Sequence, residues 1–214
     1  YVSSTSGVFV EHLRNYSDFI TKRINLSQES FVIDIGSNDG TCLSFFKQKN
    51  MRVLGVDPAE EVSEIANKGG INTLNDFFNK EVAAKIKSEY GQADLITSHN
   101  ACAHIDDLRG VIDGVDILMS DESIFVMEVG YFLDVYQNKW FDTIYHEHVD
   151  FHTVAPLREL FKPYGMEIFD VERIEPQGGS IRVLVQRKKG RFKIEDNVNN
   201  LINLEDEYGL NKLE

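Results

Sequence analysis

FVIDIGSNDG, residues 31–40, decides the fold. Phe31, Val32 and Ile33 are the β-branched and aromatic residues of a buried strand. Gly36 and Gly40 let the backbone turn tightly and approach a ligand before a helix over 41–49. A dinucleotide fingerprint needs a third glycine, and the loop reads Gly36-Ser37-Asn38-Asp39-Gly40 without it. Asp34 and Asp39 also place two carboxylates where a diphosphate would sit, which repels an anion and suits a cation such as a sulfonium or an amino group. The stretch therefore points to a cationic nucleoside cofactor.

A second strand over 51–56 ends at Asp57-Pro58, seventeen residues after Gly40. A carboxylate there accepts two hydrogen bonds from the vicinal diol of a ribose, or it caps the following helix, and the residues allow both readings. Elements then alternate: a helix over 60–68, a strand over 71–74, a helix over 80–90 and a strand over 93–98. A helix over 112–119, a strand over 123–129, a helix over 154–164 and an antiparallel strand pair at 167–174 and 181–186 follow. This is an α/β doubly wound sheet, mostly parallel, with a terminal antiparallel pair. Ligands of such sheets lie beyond the carboxyl ends of the strands, which makes Asp76, Phe77 and Asn100 candidate neighbours of an adenine. An amphipathic helix over 8–24 precedes the first strand and serves as a lid or as a plain covering helix.

With 214 residues and 42% hydrophobic content, the chain suits one α/β domain. No apolar run reaches the length of a membrane span, and two cysteines are too few for a disulfide framework, so a cytoplasmic protein is expected. A net charge of −13 argues against nucleic acid as substrate, because a polyphosphate needs a basic track. The basic residues that do cluster are Arg182, Arg187, Lys188, Lys189, Arg191 and Lys193, a candidate diphosphate contact or a solvated edge. Gly178-Gly179 beside Ser180 is a weak second hint of an anion site.

The unusual chemistry is concentrated in FDTIYHEH, residues 141–148, followed by His152. Histidine accepts a proton near neutral pH, a neighbouring glutamate orients or polarises it, and a tyrosine donates to a developing oxyanion. An acid–base site is the leading reading. A metal site using His146, His148 and His152, and purely structural histidines, remain open.

The Asp34-x-Gly36-x-x-x-Gly40 loop resembles the first motif of class I S-adenosylmethionine (SAM)-dependent methyltransferases. FDTIYHEH, EVGYFLD at 128–134, SHNACAH at 98–104 and QGGSIR at 177–182 together resemble the sugar C-methyltransferases, over nearly the whole chain and in the same motif order. The resemblance implies a Rossmann-like, seven-stranded class I fold, SAM as cofactor, and a nucleotide-linked 4-keto-deoxysugar as substrate, methylated beside the ketone. It implies His148 as base, with Glu147 and Tyr145 beside it and His104 as a further active-site histidine. Glu147 is expected to hold the tautomer of His148. By the resemblance, cofactor residues map to the loop of Asp34, Gly36, Ser37, Asn38 and Gly40, to Asp57 and to the Asn100 region; Pro58, Asp76 and Phe77 join the expected cofactor set from their places at the strand ends, and no metal is expected. His99 departs from the asparagine frequent in the family. Members of the family usually add a cysteine-rich N-terminal domain and a second Rossmann-like domain, neither complete in this stretch, which is expected to be a fragment. The expected organisation is therefore a helical lid over 1–28, a SAM-binding domain over 29–193, and a helical lead over 194–214 into a further C-terminal domain, with a monomer favoured. The alternatives are an O- or N-methyltransferase of another small molecule and a SAM-binding fragment without activity of its own.

Overall fold

The computed structural model describes residues 2–175 and 179–210. Its centre is a seven-stranded sheet of order β3-β2-β1-β4-β5-β7-β6. The strands are β1 (Phe31–Ile35), β2 (Arg52–Val56), β3 (Thr73–Leu74), β4 (Ala93–His99), β5 (Met119–Gly130), β6 (Met166–Ile174) and β7 (Ser180–Arg187). The first five are parallel, and β7 runs antiparallel to both β5 and β6. The α/β expectation with a terminal antiparallel pair holds.

Helices cover both faces. On one, α1 (Gly7–Arg23) and α2 (Thr41–Lys47) bury Leu13, Tyr16, Ile20, Leu43 and Phe46 against Val32, Leu95 and Val126. The other face carries α4 (Lys80–Tyr90), α5 (Leu108–Leu118), α7 (Val154–Phe161) and α8 (Asp196–Glu207), which pack on Ile33, Ile96, Phe125 and Val183. Successive strand residues point to opposite faces, so a central strand buried on both reads as a continuous apolar run. β1 does so: all five of its residues are buried, including Asp34. The remaining helices are α3 (Glu60–Lys68), which follows β2, and α6 (Phe132–Asn138), which follows β5.

α2 and α7 end earlier than expected, at Lys47 and Phe161, and two helices depart further. α5 starts at Leu108 rather than 112, because Asp107 caps it by accepting from the Gly110 amide at 2.9 Å. α6 lies within EVGYFLD and its aftermath, where no helix was anticipated. At the chain's end, α8 is docked: Glu205 is fully buried and accepts from the Val154 and Ala155 amides at 2.7 and 3.0 Å and from Tyr131 Oη at 3.0 Å. A side chain fifty residues away thus satisfies the first amides of α7.

Candidate active site

The carboxyl edge of the parallel strands opens into a cleft of about 1840 Å³. Its cofactor wall begins at Gly36, whose amide donates to the Val56 carbonyl at 2.9 Å and whose φ is +72°. A Cβ at this position would collide with Ala101 Cβ, so glycine is required both by conformation and by space. Asn38 lines the cleft, Ser37 lies buried beneath it, and Gly40, at φ +77°, caps α2. Asp57 uses both oxygens locally, Oδ2 on the Asn38 amide at 2.8 Å and Oδ1 on the Ala59 amide at 2.9 Å. Asp57 thus fixes the turn that leads into α3 without capping that helix, whose N-cap is Ala59, and with Pro58 it fronts the cleft, where lone pairs remain for a diol. Phe77 is 72% exposed and offers a ring face to the cleft, while Asp76 accepts from the Phe77 amide.

Three buried oxygens near this wall have no hydrogen-bond partner among the described residues: Asp34 Oδ1, Ser37 Oγ and Asn100 Oδ1. Burial pushes Asp34 up to about 7, with nearby His99 pulling it back and Asp57 and Glu128 adding to the rise. Orphaned acceptors around a glycine cradle fit a ligand bearing a cationic amino or sulfonium group, as the SAM reading requires.

A second wall holds the histidine segment. Val149 is tied to the Ala103 carbonyl at 3.0 Å, which brings residues 145–148 beside the short helical turn Cys102–His104. His148 Nδ1 lies 2.9 Å from the Thr143 carbonyl and Nε2 lies 2.9 Å from Tyr145 Oη. A carbonyl only accepts, so Nδ1 carries the hydrogen and Nε2 the lone pair. His104 packs against His148 at 4.9 Å between ring centres, and its Nδ1 is held in the same way by the Glu147 carbonyl at 2.7 Å. Thr143, not the Glu147 carboxylate, thus sets the tautomer of His148. The Glu147 side chain is exposed and lies 4.0 Å from His146. His146, His148 and His152 do not converge: the His146 side chain is 91% exposed, whereas His152 is buried with Nε2 unpartnered. Burial also holds the His152 imidazole below its ordinary value, against a smaller opposing effect of Asp150.

The third wall was not anticipated as a unit. His99, Glu128, Arg182 and Glu172 stand opposite one another across β4, β5, β7 and β6, in cross-strand register. Glu128, 1% exposed, receives Arg182 Nε at 2.6 Å, His99 Nδ1 at 2.9 Å and, from α1, His12 Nε2 at 2.7 Å. Burial alone would raise the Glu128 carboxyl, but His99, His12 and Arg182 outweigh it and hold it well below the usual range. Arg182 also pairs with Glu172 at 2.9 Å and sits over the Tyr16 and Phe19 rings. Burial pulls His99 down, yet the charge and hydrogen bond of Glu128 raise it overall. The helix over 7–23 covers the sheet through Leu13, Tyr16 and Ile20, and its Phe9, His12 and Asn15 line the cleft.

The basic stretch is corrected. Because β7 runs antiparallel, its first residues reach the cleft and its last residues leave at the opposite edge of the sheet. Arg182 lines the cleft, whereas Arg187 pairs with Asp116 at 2.5 Å beneath the sheet's far end, and 188–193 follow it there. Of the glycine pair, Gly178 and the neighbouring Gln177 lie outside the described residues. Gly179 packs tightly on the chain's own Asp134 carboxylate, which removes the anion-site hint.

The sequence matches the methyltransferase-domain family over residues 9–171. The chain belongs to this methyltransferase family. It is 37% identical over 183 residues to C-methyltransferase NovU of Streptomyces niveus, covering 86% of this chain and 44% of NovU, so it spans less than half the length of that relative. Magnesium protoporphyrin IX methyltransferase of Synechocystis, solved with bound S-adenosylhomocysteine, superposes with a TM-score of 0.66 at 13% identity, covering 84% of this chain and 83% of that one. YcgJ of Bacillus subtilis gives 0.63 at 14% identity, covering 84% and 100%. These likenesses establish the class I methyltransferase fold. Among the described residues, no helix of this methyltransferase is long and apolar enough to cross a membrane.

Proposed function

We propose that the chain supports SAM-dependent C-methylation of a nucleotide-linked 4-keto-deoxysugar, in the cytoplasm and on the carbon beside the ketone. The observation that carries this reading is the Tyr145–His148–Thr143 chain, which presents a lone pair at His148 Nε2 with a phenol beside it. Such a neutral imidazole removes a proton made acidic by the adjacent carbonyl, and Tyr145 attends the enolate oxygen. General-base assistance contributes roughly 10²–10⁴-fold, and alignment in the cleft supplies much of the remainder. SAM, when bound, supplies an electrophilic methyl group. Asp57 would hold its ribose, Phe77 its adenine, and Asp34, Gly36, Asn38 and Asn100 its amino-acid end. NovU, named a C-methyltransferase, supports transfer to carbon over oxygen or nitrogen. The sugar rests on the motif resemblance, and the activity of the whole protein is part of the proposal, as are the helical lid over 1–28 and the linking role of 194–214.

The test is His148→Asn in the full-length protein. Methyl transfer to a nucleotide 4-keto-deoxysugar falls at least 10³-fold, while calorimetry shows S-adenosylhomocysteine affinity within a few-fold of wild type. Parallel loss of affinity and activity would count against the base assignment. Solvent deuterium entering the carbon beside the ketone separates this chemistry from O- or N-methylation, which needs no such proton removed.

A further inference from the structure

We propose that His12 is a second proton-bearing residue of the cleft, an imidazolium that donates its Nδ1 hydrogen to the substrate's carbonyl oxygen as that oxygen becomes an enolate. The inference rests on the ketone reading above and adds a residue that the motif resemblance does not contain.

The histidines of the cleft are held by two kinds of partner. His104 and His148 lean on backbone carbonyls, which in a neutral ring place the hydrogen on Nδ1 and the lone pair on Nε2. Such rings are bases and cannot donate from that nitrogen. His12 instead leans on Glu128, a buried carboxylate that only accepts, so Nε2 carries a hydrogen whatever the charge of the ring. A carboxylate partner stabilises the imidazolium, and an imidazolium has a second hydrogen to give.

The charge balance points the same way. In the row across the strands, Glu128 and Glu172 bring two negative charges and Arg182 one positive charge. One negative charge remains for the two histidines on Glu128. His99 is complete as a neutral ring: Nδ1 donates to Glu128, and Nε2 accepts from Thr97 Oγ1 at 3.0 Å, which accepts in turn from Tyr16 Oη at 2.7 Å. Cys42 Sγ lies 3.4 Å from the same nitrogen, and burial keeps that thiol protonated. Protonating His99 would put three hydrogens on two contacts and leave the hydrogen of either the Thr97 or the Tyr16 hydroxyl, both fully buried, without an acceptor in this chain, a cost that outweighs the upward pull of Glu128 on His99. The proton therefore belongs on His12, whose Nδ1 has no partner among the described residues and whose ring lines the cleft. The groups facing His12 are Glu128 from β5, His99 from β4, Arg182 from β7, and Phe9, stacked at 5.9 Å, from its own helix.

In the step itself, the C–H bond beside the ketone breaks, its proton passes to His148 Nε2, and the electron pair moves onto the carbonyl oxygen. That oxygen accepts from His12 Nδ1–H as well as from a donor on the Tyr145 wall, since it has room for both. His12, His99 and Glu128 also form the one donor group among the described residues compact enough to ligate a metal, all within 4.8 Å. Arg182 already occupies Oε1 of Glu128, so such an ion would have to compete for Oε2 with the hydrogens of both histidines.

Two measurements on the full-length protein test this. ¹⁵N-histidine NMR at pH 7 should show His12 with both nitrogens protonated and His99 neutral. A neutral His12, or a cationic His99 beside it, overturns the assignment without any use of substrate. In deuterium oxide with S-adenosylhomocysteine present, His12→Asn should slow exchange beside the ketone at least 100-fold, with affinity for S-adenosylhomocysteine within 3-fold of wild type. Where Glu128→Gln folds, the alkaline limb of the exchange rate should move to lower pH. Exchange within 3-fold of wild type in His12→Asn, an unmoved limb, or loss of exchange on EDTA that zinc restores would each refute the role. A wild type that exchanges nothing in a 4-keto sugar refutes the substrate reading, and this step falls with it, while the NMR result still reports the charge on His12.

Discussion

The cofactor wall and the segment from 141 to 152 border the same cleft and are built in contrary ways. The wall is a strand end: Asp34, Ser37 and Asp57 are nearly inaccessible and their loop is fixed by bonds to β2. The segment has little regular structure beyond the short turn Phe141–Thr143, and it exposes Phe141, Ile144, Tyr145 and Val149. Its His148 ring is held by a backbone carbonyl close in sequence, that of Thr143, and the carbonyl of its Glu147 holds His104 from across the cleft wall. Buried polar groups there can be tuned by neighbouring charge, whereas exposed rings are tuned by geometry alone. The comparison teaches that binding strength in this methyltransferase should reside in the sheet edge, and chemistry in a segment that contributes little to stability.

The harshest way to break the contrast is Gly36→Ala. A methyl group must enter the space of Ala101 at a backbone angle that disfavours it. Affinity for S-adenosylhomocysteine should fall at least ~100-fold, about 2.7 kcal/mol, as read by calorimetry, with no comparable loss from any single change at 141–148.

A smaller effect sharpens it. Asp34, raised to about 7, favours its protonated form in the folded chain, so the stability it contributes is present at acid pH and is lost as pH rises through 7. Asp34→Asn should therefore stabilise the apo protein at pH 8 by about 1–3 kcal/mol in urea melts, while weakening cofactor binding. A variant less stable than wild type at pH 8 would show that Asp34 is not an unpaid charge in the fold.

The smallest effect concerns the segment's anchor. His152, lowered by burial, stays neutral when folded, so its contribution is present above the unfolded value of 6.5 and is lost as pH falls below it. Between pH 7.5 and 5.5, wild type should lose up to ~1 kcal/mol that His152→Gln does not. Equal losses in both proteins would remove His152 from the account.

Where local pattern and tertiary placement agree, the sequence was enough to read the structure. Val32, Ile33 and the glycines after them announce β1 and its loop because strand burial and tight turns leave compositional traces. α5 was read short because its start depends on Asp107 acting as a cap. α6 was hidden because 128–134 reads as a motif rather than as a period. The Glu128 group was invisible for a deeper reason: positions 99, 128, 172 and 182 meet only through sheet register, and position 12 joins them only because α1 packs on the sheet. The one local clue was His12, a polar residue between Phe9 and Tyr16 on the helix stripe that faces the sheet. The basic run from 187 to 193 misled because the direction of β7, and hence which end of it meets the cleft, is not written in its composition.

The reach of Glu205 from α8 to the first amides of α7 has a kinetic meaning. Those amides can meet solvent only when α8 detaches, so Val154 and Ala155 should exchange hydrogen with deuterium in step with the last helix rather than with their own. The chain just after the histidine segment thereby shares a cooperative unit with residues fifty positions downstream, and whatever binds or releases α8 sets how often that unit opens.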